Sequence, residues 1–339
     1  MLANKHQKPK EAKKEKHGIN TLPIYVALIV MFALFIYFQR DSAVSAILGI
    51  ALFMVIVILI LIEVTNGIKE EGFKRNAIEI IAAVLIVVVF WFSLKALLHT
   101  SYPLDVVPSC SMLPQLKRGD LILLQGVNNI TRISAPVIKL NASSYSNVTL
   151  DIQKEALSCV AYKQVGNRIA VSSMALPGYS IGLFSTANGG EIVPNAYQSG
   201  NPIQYTCGTA TIKYDNGTTA SEAYTTAVTI NGTTISNDRN NSVVVYATVP
   251  GDYFYQLGDS YIVHRVYAVI SSNGNYLVLT KGDNNPGLDI QYGNYPANAT
   301  SIEGKVIYSI PYLGYLKLIL SNSFTEPAGC NSTVVSQSA

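Results

Sequence analysis

The stretch Tyr261-Ile262-Val263-His264-Arg265-Val266-Tyr267-Ala268-Val269-Ile270 decides the fold of the larger part of this chain. β-Branched and aromatic residues crowd it and neither glycine nor proline interrupts it, so it reads as a buried strand. Outward from it, Leu121–Leu124, Ser242–Val249, Tyr276–Thr280 and Val306–Ile310 share the texture: short Val/Ile/Tyr/Thr runs cut by Gly, Pro, Asn and Asp. From about residue 100 onward the chain is therefore expected to be mainly β. Between Gly126 and Pro250 lies a long stretch of low charge, rich in Asn, Thr, Ser, Tyr and Gly and without a clean repeat, which reads as a β-rich insertion.

Toward the N-terminus the texture changes. Residues 1–20 are polar and Lys-rich, and three apolar runs come next: Thr21–Phe38, Ala43–Ile62 and Ala77–Leu98. Each is near the roughly 20 residues that a helix needs to cross the hydrocarbon core, and none shows a polar face. They are expected to form a three-helix membrane anchor over 21–99, the alternative being buried helices of a soluble bundle. Positively charged segments stay inside, which places the Lys-rich tail in the cytoplasm. An odd number of spans then delivers everything after about residue 100 to the extracytoplasmic side. Eight N-x-S/T sequons, beginning at Asn129, Asn141, Asn147, Asn216, Asn231, Asn240, Asn298 and Asn331, all fall in that part. The expected organisation is a cytoplasmic tail (1–20), the anchor (21–99), a folded domain in two pieces (100–125 and 251–316), the insertion (126–250) and a C-terminal tail (317–339).

The charge balance agrees. The net charge of the 339 residues is +3, but residues 1–99 carry 11 Lys/Arg against 7 Asp/Glu and residues 100–339 carry 13 against 14. The basic excess belongs to the N-terminal third, so the folded domain has no nucleic-acid footprint. The four cysteines match no zinc spacing. An exported setting permits a Cys159–Cys207 disulfide, with two buried thiols as the alternative; Cys330, in the tail, has no assigned partner.

A general base working near neutral pH is usually histidine. His6 and His17 lie in the tail and His99 ends the third apolar run, which leaves His264. Alone, this segment favours an ordinary core histidine. The candidate nucleophile lies in Pro108-Ser109-Cys110-Ser111-Met112-Leu113-Pro114. Serines two apart point the same way in an extended segment, so one can attack while the other donates to an oxyanion; Cys110 would point away. Downstream, Thr280-Lys281-Gly282-Asp283-Asn284-Asn285-Pro286-Gly287-Leu288-Asp289 ends a strand in a turn. Either Asp283 or Asp289 could orient the imidazole.

These three segments, in this order, resemble the conserved boxes of type I signal peptidases. The serine box S-x-S-M-x-P followed by G-D reads Ser109–Pro114 and Gly119-Asp120; H-R-V, which marks the archaeal and endoplasmic-reticulum form, reads His264-Arg265-Val266; K-G-D-N-N with an Asp six positions after its own reads Lys281–Asn285 and Asp289. The match covers roughly 101–125 and 255–316. It implies N-terminal transmembrane helices followed by a mainly-β exported catalytic domain of the signal-peptidase kind, interrupted by the insertion. It also implies a serine endopeptidase of the cell membrane, multi-pass, with Ser111 as nucleophile, His264 as base, Asp289 orienting His264, Asp283 supporting the loop and Ser109 at the oxyanion. No cofactor or metal is expected. The implied partners are preprotein signal peptides, the lipid bilayer and the secretion translocon. The rivals are a membrane-anchored, glycosylated surface protein without protease activity and a related protease with a narrow client.

Overall fold

A computed structural model describes residues 21–37, 42–71, 73–127, 129–154, 159–165, 168–173, 192–193, 202–321, 323, 325–327 and 329–338. The chain divides into two compact units, residues 1–92 and 93–339. The first holds the helices α1 (Leu22–Tyr37), α2 (Ser42–Glu71) and the start of α3 (Phe73–Leu98).

The expected membrane anchor is corrected here. Over the described residues α1 covers 16 positions. α2 and α3, of 30 and 26 residues, do not stop where the apolar runs stop: α2 continues through Glu63, Lys69, Glu70 and Glu71, and α3 includes Lys74, Arg75, Glu79 and Lys95. Among the described residues no helix is long and apolar enough to cross a membrane. The fold is a mainly β one with accompanying helices, not a set of transmembrane helices followed by a β domain.

The second unit is built of β1 (Leu104–Val106), β2 (Leu121–Gln125), β3 (Val137–Lys139), α4 (Ala142–Lys154), β4 (Val160–Val165), β5 (Arg168–Ser173), β6 (Ile192–Val193), β7 (Ile203–Tyr214), β8 (Thr219–Ile230), β9 (Thr233–Ser236), β10 (Val243–Ala247), α5 (Tyr253–Gln256), β11 (Tyr261–Ser272), β12 (Asn275–Lys281), β13 (Ala297–Asn298), β14 (Ile302–Ile310), α6 (Tyr315–Leu320) and β15 (Ser332–Ser338). The main sheet runs in the order β1-β2-β14-β10-β11-β12-β13, with β3 joining β11 in parallel. β11 is central, and its run from Ile262 to Ile270 is buried throughout, as an uninterrupted apolar strand should be. The hairpin from β11 to β12 closes on Asn273-Gly274, both at positive φ (48° and 84°). That is the two-residue turn whose twist matches the strands it joins; Asn231-Gly232 closes β8 to β9 in the same way.

β10, which lies within the stretch read as an insertion, is an inner strand of the main sheet, paired to β11 on one side and β14 on the other. β3, also from that stretch, joins the main sheet too, and the other insertion strands form a three-stranded sheet, β5-β4-β6, and a four-stranded one, β15-β7-β8-β9. The latter contains the C-terminal strand β15, which pairs with β7 from Ser332↔Tyr214 to Ser338↔Thr209. The last stretch of the chain is thus folded onto the insertion.

One core cluster holds the serine segment in place. Val107, Met112, Leu116, Ile122, Leu124, Val243, Val245 and Val263 pack together. Met112 is fully buried, so the segment around Ser111 is anchored by its own hydrophobic side chain. Gly119 makes a close turn beneath it: its φ is +86°, and a Cβ there would overlap the Tyr315 ring. Asp120 completes the turn, its carboxylate accepting the backbone N–H groups of Lys117 and Tyr312.

All four cysteines are paired, as Cys159–Cys207 and Cys110–Cys330. The first closes 48 positions of chain, and such a closure stabilises by about 3–4 kcal/mol through the unfolded state. Replacing Cys159 and Cys207 together by serine is expected to lower Tm by roughly 6–12 °C. A thermal melt that does not move would mean the insertion holds together without the bond.

Candidate active site

The site lies where the loop after β1 meets β11 and the segment after β12. Ser111 is half-buried, within reach of solvent, whereas His264 and Asp289 are buried. Ser111 Oγ is 2.9 Å from His264 Nε2. His264 Nδ1 lies 2.8 and 2.7 Å from the two oxygens of Asp289. A carboxylate at Nδ1 accepts that nitrogen's N–H, which leaves Nε2 to accept the Ser111 hydroxyl. Phe254 packs edge-on against the imidazole, ring centres 5.9 Å apart.

Asp289 opens a short 3₁₀ turn, Asp289–Tyr292. Its Oδ2 also accepts from Tyr246 OH at 2.8 Å and Thr280 Oγ1 at 2.6 Å, and its carbonyl accepts Asn294 Nδ2 at 3.0 Å. Burial works to raise its pKa; the charge and hydrogen bond of His264, with the hydroxyls of Thr280 and Tyr246, outweigh it and hold the carboxyl below its ordinary value. Tyr246, wholly buried beside that carboxylate, is pushed well up and stays a donor.

The two candidate acids do different work. Neighbours along a strand point to opposite faces, so Arg265 leaves β11 on the side away from His264. There it meets Asp283 in a bidentate pair, Nε to Oδ1 and Nη2 to Oδ2, both 2.7 Å. The other guanidinium nitrogen donates to the carbonyls of Arg239 (2.7 Å) and Asn241 (2.5 Å). Asp283 therefore fixes the loop, and Asp289 faces the imidazole.

Ser109 Oγ is 3.2 Å from Ser111 Oγ, placing a second hydroxyl beside the first. Cys110, between them, is tied to Cys330. Lys281 is buried and donates to Tyr224 OH, to Asn285 O at 2.5 Å and to Gly282 O at 3.2 Å. Gly282 is there for close approach: a Cβ would stand 2.7 Å from Ser111 O and from Asn285 Nδ2. Among the described residues, the group with metal-ligand spacing is Cys110, Glu326 and Cys330, and its two sulfurs are bonded to each other.

Tyr246 and Thr280 as donors to Asp289, and Cys110 as the partner of Cys330, are not foreseen from the sequence. Thr280 stands at the head of the K-G-D-N-N segment and Tyr246 in a recognised strand, but nothing in their spacing points at Asp289. The even number of cysteines in the chain is the one signal for a second bond. No known family model matches the chain, and no curated protein or solved structure matches it.

Gly282→Ala pushes a methyl group against the Ser111 carbonyl and is expected to move the loop, so that amides across 110–114 exchange at least tenfold faster with hydrogen in solvent; unchanged exchange there would show that the loop yields. Burial lowers Lys281 to about 7, with Asp283 and Asp289 acting in the opposite sense, whereas an unfolded lysine titrates near 10.4. Between those values the unfolded chain binds the extra proton, so stability rises with pH through this group. Urea midpoints measured from pH 7 to 10 should climb more steeply in wild type than in Lys281→Met; equal slopes would contradict the buried lysine.

Proposed function

We propose that this chain is a serine endopeptidase of the type I signal peptidase kind, in its archaeal and endoplasmic-reticulum form, and that it cleaves signal peptides from exported preproteins. The observation that carries the reading is the continuous hydrogen-bonded path from Ser111 Oγ through His264 to Asp289, with steps of 2.9 and 2.7 Å. A hydroxyl, an imidazole and a buried carboxylate in that order form the activated-nucleophile arrangement of serine hydrolases.

In the proposed reaction His264 Nε2 takes the Ser111 proton as Oγ attacks the scissile carbonyl. Asp289 holds the imidazole in the right tautomer and stabilises it once charged. The Ser111 backbone N–H and the Ser109 hydroxyl receive the oxyanion; a donor so placed is commonly worth about 10²–10³ in rate. His264 then gives its proton to the leaving amine, and water repeats the sequence on the acyl-enzyme. β1, immediately before the serine loop, is the edge strand of the main sheet, which supports entry of the substrate as an added extended strand. The family resemblance supplies the preference for small side chains before the cut.

Both disulfides support an extracytoplasmic, oxidising setting. Exposed apolar side chains at the end of β14, in the turn after it and in α6, namely Ile307, Tyr308, Ile310, Leu313 and Leu320, support work beside a lipid surface, where a signal peptide emerges. The test is cleavage of a secretory precursor by purified protein. Ser111→Ala and His264→Ala should each reduce cleavage by at least ~1000-fold. Cleavage at wild-type rate by either variant would remove the assignment.

A further inference from the structure

The oxyanion site assigned to Ser111 needs its backbone N–H aimed at the substrate, and that aim depends on two peptide planes. The Cys110 carbonyl and the Ser111 N–H lie on opposite edges of one trans peptide, so whatever grips the carbonyl sets the direction of the N–H. Asn284 grips it, with Nδ2 3.2 Å from Cys110 O. The next plane carries the Ser111 carbonyl, and this accepts the Asn284 backbone N–H at 2.7 Å. One residue therefore holds the planes on both sides of the nucleophile. Leu113 N–H adds a bond to the Cys110 carbonyl from within the loop, at 3.2 Å.

The side chain of Asn284 is itself held from behind. Nδ2 reaches Ser332 O at 2.9 Å and Gly329 O at 3.3 Å, and Oδ1 accepts Val334 N–H at 2.9 Å. All three partners belong to β15 or the turn leading into it. The same segment is bonded to the serine loop through Cys110–Cys330. Gln337 of β15 donates to Tyr224 OH at 2.9 Å, the hydroxyl that also receives Lys281. Backbone, amide and disulfide thus tie the end of the chain to the residue next to the nucleophile.

We propose that Asn284 is a positioning residue for the oxyanion-binding N–H of Ser111, and that the C-terminal strand β15 is the element that orients Asn284 for it. The inference rests on Ser111 being the nucleophile. It gives the C-terminal segment and the β7–β8 sheet it completes a direct part in turnover.

The test pairs kinetics on a secretory precursor with amide hydrogen exchange, in wild type, Asn284→Ala and Asn284→Asp. Aspartate keeps the shape and the acceptor for Val334 N–H but cannot donate to the Cys110 carbonyl. Both variants are expected to lose kcat by about 10–100-fold with KM within about threefold, and amides across 110–116 should exchange at least tenfold faster while those of β10–β12 keep their protection. If Asn284→Ala fails to fold, β10–β12 protection collapses with it and the aspartate variant decides. Wild-type kcat in Asn284→Asp, or unchanged exchange across 110–116 in a folded variant, would overturn the proposal. A wild-type protein that cleaves no precursor would remove the protease reading instead, and the exchange experiment would still show whether Asn284 holds the loop.

Discussion

An ionised carboxylate with almost no access to water is the constraint around which this domain is arranged. Asp289 is 1 % exposed, and a buried charge without partners costs several kcal/mol. Its partners come from three neighbouring strands: Tyr246 from β10, His264 from β11 and Thr280 from β12. The order of those strands in the sheet is what brings two hydroxyls and an imidazole to one point. A hydrogen-bonded carboxylate of this kind has its pKa held down, so its contribution to stability is present above the unfolded value near 3.9 and is lost as pH falls through the lower folded one. The same arrangement fixes the imidazole tautomer, so stability and the proposed chemistry draw on one set of contacts.

A second buried charge lies on the opposite face of β11. Arg265 is held by Asp283 and two backbone carbonyls. Removing one member of such a group strands the other without solvent, at a cost of roughly 3–5 kcal/mol. Adjacent residues on one strand thereby lock two acids six positions apart: the first holds the loop to the sheet, and the second presents its carboxylate to His264. On either side of Asp283 the chain passes Gly282 and Asn284 against the serine loop. The loop's position relative to the imidazole is set from both ends of a single turn.

Legibility in the sequence varied with the range of the interaction. The strands Leu121–Leu124, Tyr261–Ile270 and Tyr276–Thr280 were legible because burial on a pleated sheet leaves a local pattern. Ser111 and His264 were legible as types of residue in motifs, and the structure places them 2.9 Å apart. The choice between Asp283 and Asp289 was not legible, because both lie in a turn where spacing does not fix direction; the alternation of His264 and Arg265 on β11 decides it. Ser242–Val249 reads as a strand but falls within the insertion, and the structure makes its Val243–Ala247 part an inner strand of the main sheet, since nothing local distinguishes a strand of the main sheet from one of a side sheet. Cys110 and Cys330 are 220 positions apart, and no local rule pairs them. The apolar N-terminal runs misled for a related reason: hydropathy marks where apolar residues are and does not say where helices end.

Whether His264 makes Ser111 a reactive nucleophile is decided by treating the purified protein with a serine-directed phosphonate and locating the covalent adduct by mass spectrometry. One adduct is expected, on Ser111, formed in wild type and lost in His264→Ala while Ser109 stays unmodified. An unmodified Ser111, or an adduct there that forms just as fast without the imidazole, would refute the activation on which the proposed chemistry rests.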